Sequence, residues 1–262
     1  MSPKKQPLEV VEAVSSPLPA GFLAQLAQRF DREGQTIYKG RNEIKIFTLP
    51  DRTVCVKKYS VPPVLNRILY SCGLRVPKAR RTYENAQKIL ERGFRTPVQY
   101  GYVLTWKNGW LGESYSVGEY VENAGTCADA HTDKPLRDAF AGYTADLHAH
   151  GMMHRDYILN NILYKRMGDH YEFTLIDINR FVFKSSPIRG FLQRMNLMQP
   201  FHHNEELQDF VSAYCRAAQA PASLCAHVLG FRQWRNRYSA LKRVLKKIPG
   251  SRWLTQHRSS AK

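Results

Sequence analysis

No run in the sequence approaches the roughly 20 consecutive apolar residues that a membrane-spanning helix needs. The opening MSPKKQPLEVVEAV also lacks the apolar core of a secretory signal, so a cytosolic protein is expected. Cysteines are few and scattered. Cys55, Cys72, Cys127, Cys215 and Cys225 are odd in number and show neither CxxC spacing nor His pairing, which argues against a disulfide framework or a zinc site and for reduced thiols. Acid is scarce too: 39 Lys and Arg stand against 22 Asp and Glu, a formal net charge of +17. No acidic residue follows Asp209, and the eleven Lys and Arg beyond it supply most of the excess. A basic end interleaved with Trp234, Tyr238 and Trp253 suits a polyanion, nucleic acid or an anionic membrane face, and equally suits a solvated helix face with a frayed end.

What is present is globular. Apolar residues make up 43% of the 262 and aromatics 11%, enough for one sizeable domain or two lobes sharing a cleft. Residues 1–20, rich in Lys, Pro and Ser, read as a loose basic arm. From Thr36 the pattern turns β-like, with Ile37-Tyr38, Ile44 to Phe47 and Thr53 to Lys57 separated by turn residues. A short apolar-basic segment, 64–70, precedes a helix over 78–92 that stops at Gly93. Two strands near 98–105 and 111–121 flank Asn108-Gly109, a strong hairpin signal. Beyond Asn123 helices dominate, over 135–150, 205–217, 221–229 and 234–248, with one hairpin near 162–176. The expected class is α+β, with an N-lobe over 21–121, built of an antiparallel sheet and one helix, and a compact, mainly helical C-lobe over 122–262.

The chemistry concentrates in LHAHGMMHRDYILNNILY, from Leu147, and in Asp177 of LIDINRFVF. His154-Arg155-Asp156, with Asn161 five residues after the Asp, resembles the catalytic loop of the protein-kinase-like fold. A carboxylate at Asp156 can accept the proton of an attacking hydroxyl. The Asn161 amide oxygen can hold a metal, and Asp177, ending the next strand, can bridge Mg2+ to the phosphates of ATP. His154 and Arg155 would brace the loop. The resemblance further implies that Lys57, framed by Val54 and Val56, clamps the α/β-phosphates, and that Glu84 on the following helix orients Lys57. Of the adjacent Lys57 and Lys58 only one can face a cleft. Backbone groups from Glu119 to Val121, in an extended linker, are the expected adenine-binding hinge.

Departures from the protein-kinase pattern narrow the resemblance. No GxGxxG precedes Lys57, only Lys39-Gly40-Arg41-Asn42, and Ile158 stands two residues after Asp156 where kinases acting on protein Ser/Thr carry Lys. Asp177-Ile178-Asn179-Arg180 replaces Asp-Phe-Gly, no Ala-Pro-Glu follows, and 85 residues remain after Asp177, short for a peptide platform. A peptide substrate is therefore not expected. LIDINR, the compact second half and the Lys57/Glu84 spacing resemble the lipopolysaccharide core kinases, the Kdo/heptose kinase family, over about residues 36–215. Asn160-Asn161 stands where members of that family often have His or Cys.

That resemblance implies ATP- and Mg2+-dependent phosphorylation of a sugar hydroxyl, Kdo or heptose, on a lipid-linked core, by a cytoplasmic protein peripherally held at the inner membrane. An anionic membrane surface then becomes an expected partner and nucleic acid does not. Segments 64–70 and 188–198 mix apolar and cationic residues, which fits interfacial contact or the ordinary packing of amphipathic helices. Two rival readings remain: a kinase of a soluble aminoglycoside or amino alcohol, and a non-catalytic kinase-fold or basic binding protein.

Overall fold

The computed structural model describes residues 7–245. The chain divides into two compact units, and the first takes in residues up to Cys127 together with 154–156 and 160–182. Its main sheet is fully antiparallel. The strands are β1 (Leu8–Glu12), β2 (Gln35–Lys39), β3 (Asn42–Leu49), β4 (Arg52–Tyr59), β5 (Gln99–Lys107) and β6 (Trp110–Glu119), in the order β1-β5-β6-β4-β3-β2. The arm expected to be loose through residue 20 thus contributes an edge strand, Leu8–Glu12 pairing with Gly101–Thr105. Asn108 and Gly109 turn the β5–β6 hairpin with φ of 52° and 79°, the double left-handed conformation that matches strand twist.

Strand alternation gives this sheet two apolar faces. On one, Val54, Val56, Phe47 and Val117 pack against Phe22, Leu23 and the helix α1 (Leu26–Arg32). On the other, Tyr59, Tyr102 and Trp106 pack against Tyr70 of α2 (Val64–Ser71) and Ala79 of α3 (Lys78–Glu91). The buried stripe of α3 is Ala79, Thr82, Asn85, Ala86 and Ile89, spaced as one helix face. Thr82 also shares a hydrogen bond of 2.9 Å with the buried Tyr59 hydroxyl.

A second, three-stranded sheet lies within the same unit, with β7 (Gly125–Thr126), β9 (Ile162–Met167) and β10 (His170–Leu175) ordered β10-β9-β7. Two contacts tie its end to the chain that follows α3: Thr96 Oγ1 donates to Leu175 O at 2.7 Å and Leu175 N to Arg95 O at 3.0 Å. Between these segments come the short β8 (Met152–His154) and, after them, β11 (Phe181–Phe183).

The second unit holds residues 128–153, 157–159 and 183 onward. Its helices are α4 (Lys134–Ala149), α5 (Gly190–Leu197), α6 (Asn204–Ala217) and α7 (Ser223–Leu245). α4 starts where sequence chemistry dictates: Asp133 caps it, accepting from Leu136 N at 2.9 Å, and Pro135 occupies the first turn. Phe140, Phe201, Phe210 and Tyr214 fill the core, Phe140 and Phe210 stacking at 5.3 Å. The helices expected over 221–229 and 234–248 are one continuous α7 as far as Leu245, because nothing between them breaks a helix except Gly230, which a helix tolerates. Residues 246–248 of the expected helix and the basic tail after them lie outside the described residues. No helix among the described residues is long and apolar enough to cross a membrane.

Candidate active site

The residues given catalytic, metal-holding or nucleotide-binding roles from the sequence all fall in the first unit. On β4, side chains alternate between the two faces, so the adjacent lysines part company. Lys58 turns to the α1 face, where it meets Glu113 at 3.0 Å and Asp31 at 3.5 Å. Lys57 turns to the α3 face, where its Nζ lies 2.6 Å from Asp177 Oδ1. The Lys57 amine is mostly shielded from water, which lowers its pKa; Tyr59 and Asp177 outweigh that and hold it above the ordinary lysine range. Burial likewise pushes the Asp177 carboxyl up, but the charge and hydrogen bond of Lys57, with the hydrogen bond from Asn179, outweigh it and keep the carboxyl below the usual carboxylate range. The pair is charged, and each partner stabilises the other's charge.

Among the described residues, Asp177 is one of four non-glycine residues with positive φ, at 52°. Asp tolerates that left-handed conformation better than most residues, and here it turns the chain sharply after β10. Asn179 Nδ2 donates to Asp177 Oδ1 at 2.5 Å. Asn85 of α3 donates to Ile178 O at 2.7 Å, fastening this turn to the helix.

The loop bearing Asp156 is tied to the same turn by backbone and imidazole. Arg155 N donates to Arg180 O at 2.9 Å, and Ile176 N to Asn161 O at 2.9 Å. His154 is fully buried; its Nδ1 accepts from Asp156 N at 3.1 Å, so Nε2 carries the proton and donates to Ile176 O at 3.0 Å. Burial lowers its pKa, in keeping with a neutral ring that braces the loop. Arg180 Nη1 donates to both oxygens of Asp156, at 2.8 and 3.1 Å, fixing the carboxylate's orientation.

The donor set fits a hard divalent cation. Asn161 Nδ2 is committed to Asp156 O at 2.8 Å, which leaves Asn161 Oδ1 as an acceptor. Asp177 Oδ1 takes both of that residue's hydrogen bonds, so neither Asp177 Oδ2 nor Asn161 Oδ1 has a partner among the described residues. No group of three or more His, Cys, Asp and Glu side chains gathers among those residues. Two protein oxygens completed by phosphate and water are what Mg2+ usually takes in nucleotide sites. Nearby, burial and the positive charge of Arg41 push the Lys78 amine below its ordinary range. Crowded cations of this kind favour a polyanionic ligand.

Glu84 is not brought to Lys57. Its carboxylate pairs with Arg80 at 2.7 Å one turn back on α3, while Asn85 is the residue on the inward stripe. The reason is helical phase: one residue is 100° of rotation, and the packing of Thr82, Ala86 and Ile89 sets that phase. Of the expected hinge, the Glu119 N–H is already spent on Val98 O at 2.8 Å, still within the reach of β6, and only Tyr120 and Val121 lie past the strand. Asn85 and Arg180 were not assigned roles from sequence. An Arg directly after an Asp-x-Asn turn was the available signal for Arg180; none marked Asn85 over its neighbour.

A strand lysine held to a carboxylate at a strand end, beside an Asp and an Asn from one loop, is the arrangement of the kinase-like fold. The structure of WaaP in complex with acyl carrier protein shares that fold with a TM-score of 0.58, at 14% identity over 88% of this chain and 98% of that one. Rio2 kinase from Chaetomium thermophilum, in its ADP/Mg2+-phosphoaspartate complex, aligns with a TM-score of 0.41 at 15% identity over 80% of this chain and 63% of that one. No curated protein sequence matches. The profile of the lipopolysaccharide kinase (Kdo/WaaP) family matches residues 52–214, and the chain belongs to that family. Both the α+β kinase-like fold and the family resemblance read from the sequence are thereby borne out, and the chain is a phosphotransferase of the lipopolysaccharide kinase type.

Proposed function

We propose that this kinase uses ATP and Mg2+ to phosphorylate a hydroxyl of Kdo or heptose in the lipopolysaccharide inner core, peripherally bound at the cytoplasmic membrane face. The observation that carries the reading is the Lys57–Asp177 pair at 2.6 Å, with Asn161 and the Arg180-held Asp156 tied to the same turn. Lys57 meets the phosphates with a full positive charge. Asp177 Oδ2 and Asn161 Oδ1 would hold Mg2+, which when bound neutralises charge on the phosphoryl group in transfer. Asp156 takes the proton of the sugar hydroxyl, and Arg180 keeps its carboxylate aimed. Neutral His154 fixes the loop without entering the chemistry. The backbone of Tyr120 and Val121 serves the adenine, and Glu119 closes the sheet beside it. In this reading 21–121 is the nucleotide lobe and 122–262 the acceptor lobe.

The test is transfer from γ-labelled ATP, with Mg2+, to a deacylated Kdo–heptose core oligosaccharide by the purified full chain. Transfer is expected, with Asp156→Asn reducing kcat by about a thousandfold. Transfer to free aminoglycosides or amino alcohols but not to the core would reassign the acceptor. Full transfer by Asp156→Asn would remove that residue from the role of base.

A further inference from the structure

Six large aliphatic side chains stand exposed between Val61 and Val76, among them Leu74 at 78%, Val64 at 76% and Leu65 at 72% exposure. They belong to α2 and the loops at its two ends. The inner side of α2 is occupied: Tyr70 lies in the core, and Arg67 and Ser71 hold the start of β6. Arg67 Nε donates to Leu111 O at 2.8 Å and Ser71 Oγ accepts from Leu111 N at 3.0 Å. These two bonds seat the β5–β6 turn against the helix and bring in Trp110, whose indole is 42% exposed with the Arg67 guanidinium 5.9 Å from its ring centre. Between Ser60 and Tyr83 the sequence has five Lys and Arg and no acidic residue.

Protein-binding patches concentrate aromatic anchors in a closely packed centre. This one presents Leu, Val and Ile from a short helix and its flanking loops, with a single Trp beside them and cations around. That composition matches an interfacial element, in which aliphatic groups enter the headgroup–acyl boundary, Trp sits at headgroup level and Arg and Lys reach the lipid phosphates. The charge also fits, since each Lys or Arg near an anionic leaflet adds attraction. We infer that α2, its flanking loops and Trp110 form a docking surface for an anionic lipid bilayer, with Val64, Leu65 and Leu74 as the inserting residues. The segment runs directly into α3, whose Lys78 senses the charges of Arg41, Asp177 and Lys57. Lipid held at α2 is thereby one short connection in the chain from the phosphate-binding cations. The inference rests on the reading of the acceptor as a membrane-held glycolipid.

The experiment uses the full chain with vesicles of phosphatidylcholine mixed with phosphatidylglycerol, against vesicles of phosphatidylcholine alone. Both leucines are exposed, so Leu65→Glu combined with Leu74→Glu leaves the core intact. The double variant is expected to lose about tenfold or more in partitioning onto the mixed vesicles at raised salt. Brominated lipid should quench the tryptophan fluorescence of the native chain, and Trp110→Phe should remove most of that quenching. Undiminished vesicle binding by the double variant, or unchanged quenching in Trp110→Phe, would overturn the inference. So would a double variant that binds vesicles normally but loses a soluble acidic protein. Transfer to the deacylated core oligosaccharide in solution reads the proposed function separately. The double variant should keep that activity and lose rate only on acceptor embedded in vesicles, whereas a native chain inactive on both acceptors but still bound to vesicles would sink the proposed function alone.

Discussion

Each unit of the chain buries a polar cluster, and the two obey opposite rules. In the first, Lys57 and Asp177 carry full charges, and two acceptors of the cluster, Asp177 Oδ2 and Asn161 Oδ1, have no partner among the described residues. In the second, the imidazole, amides and hydroxyl of the core cluster bond to one another. His148 Nε2 donates to Asn196 Oδ1 at 2.9 Å, Tyr214 donates its hydroxyl to His148 Nδ1 at 2.9 Å, and Gln193 Nε2 donates to the Tyr214 oxygen at 2.9 Å. Burial pushes the His148 pKa down to about 4, so the ring stays neutral. Beside this cluster is a cavity of about 670 Å³, lined largely by small residues such as Ala145, Ala149, Ala217 and Ala220. Room is therefore a poor guide to chemistry here. Uncommitted oxygens beside a protonated amine mark the site; a neutral network whose groups bond to one another marks a packed core.

Substitutions should separate the two clusters cleanly. The largest effect belongs to Asp177→Asn, which should lower kcat by about a thousandfold or more while circular dichroism shows a folded chain, because it removes charge that acts on the phosphates. His148→Ala should do the reverse. Its transfer rate per folded molecule should stay within about twofold, while urea unfolding should show a loss of about 2–4 kcal/mol from the cavity and the partners left unsatisfied. Equal loss of kcat in both variants would erase the distinction between the two clusters.

Acid should act on both units through buried imidazoles, His154 in the first and His148 in the second, since burial lowers the pKa of each. Between about pH 6.5 and about pH 4 the unfolded chain binds a proton at His148 that the folded chain refuses, so stability falls as pH falls through that window, by about 3 kcal/mol in all. Asp177 behaves differently: its pKa is depressed on folding, so its contribution is present above the ordinary carboxylate pKa and disappears only as pH drops through its lower folded value. Urea midpoints across this range, compared with His148→Gln, check the assignment; an unchanged slope in the variant would place the titration elsewhere. The smallest effects lie on α3. Asn85→Ala, which frees the Asp177 turn, should cost about tenfold in kcat, and Glu84→Gln, which touches only a surface pair, less than about twofold.

Legibility from sequence followed distance along the chain. Asp156, Asn161 and Asp177 were readable because the loop and the strand end are local features with fixed spacing; β-alternation set Lys57 and Lys58 on opposite faces, and the family pattern of Val54 and Val56 chose Lys57. The α3 helix was equally plain, yet its phase was not: Glu84 and Asn85 differ by 100°, and only contacts with Tyr59 and Ile178, far away in sequence, decide between them. The edge strand Leu8–Glu12 was missed for the same reason, since its pairing with β5 spans some ninety residues of chain and its composition reads as a loose arm. The His148 cluster draws on three helices, and nothing in any one of them announces it.

The grip of Asn85 on Ile178 also bears on control. A kinase silenced by flipping its metal loop outward needs somewhere for the flipped residues to rest. Here such a flip would break a buried amide–carbonyl bond and draw Ile178, 2% exposed, into water. Together these cost about 3 kcal/mol, so fewer than about one molecule in a hundred would occupy the off position at any moment. A turn fastened in this way holds Asp177 cocked toward Lys57 before any ligand arrives.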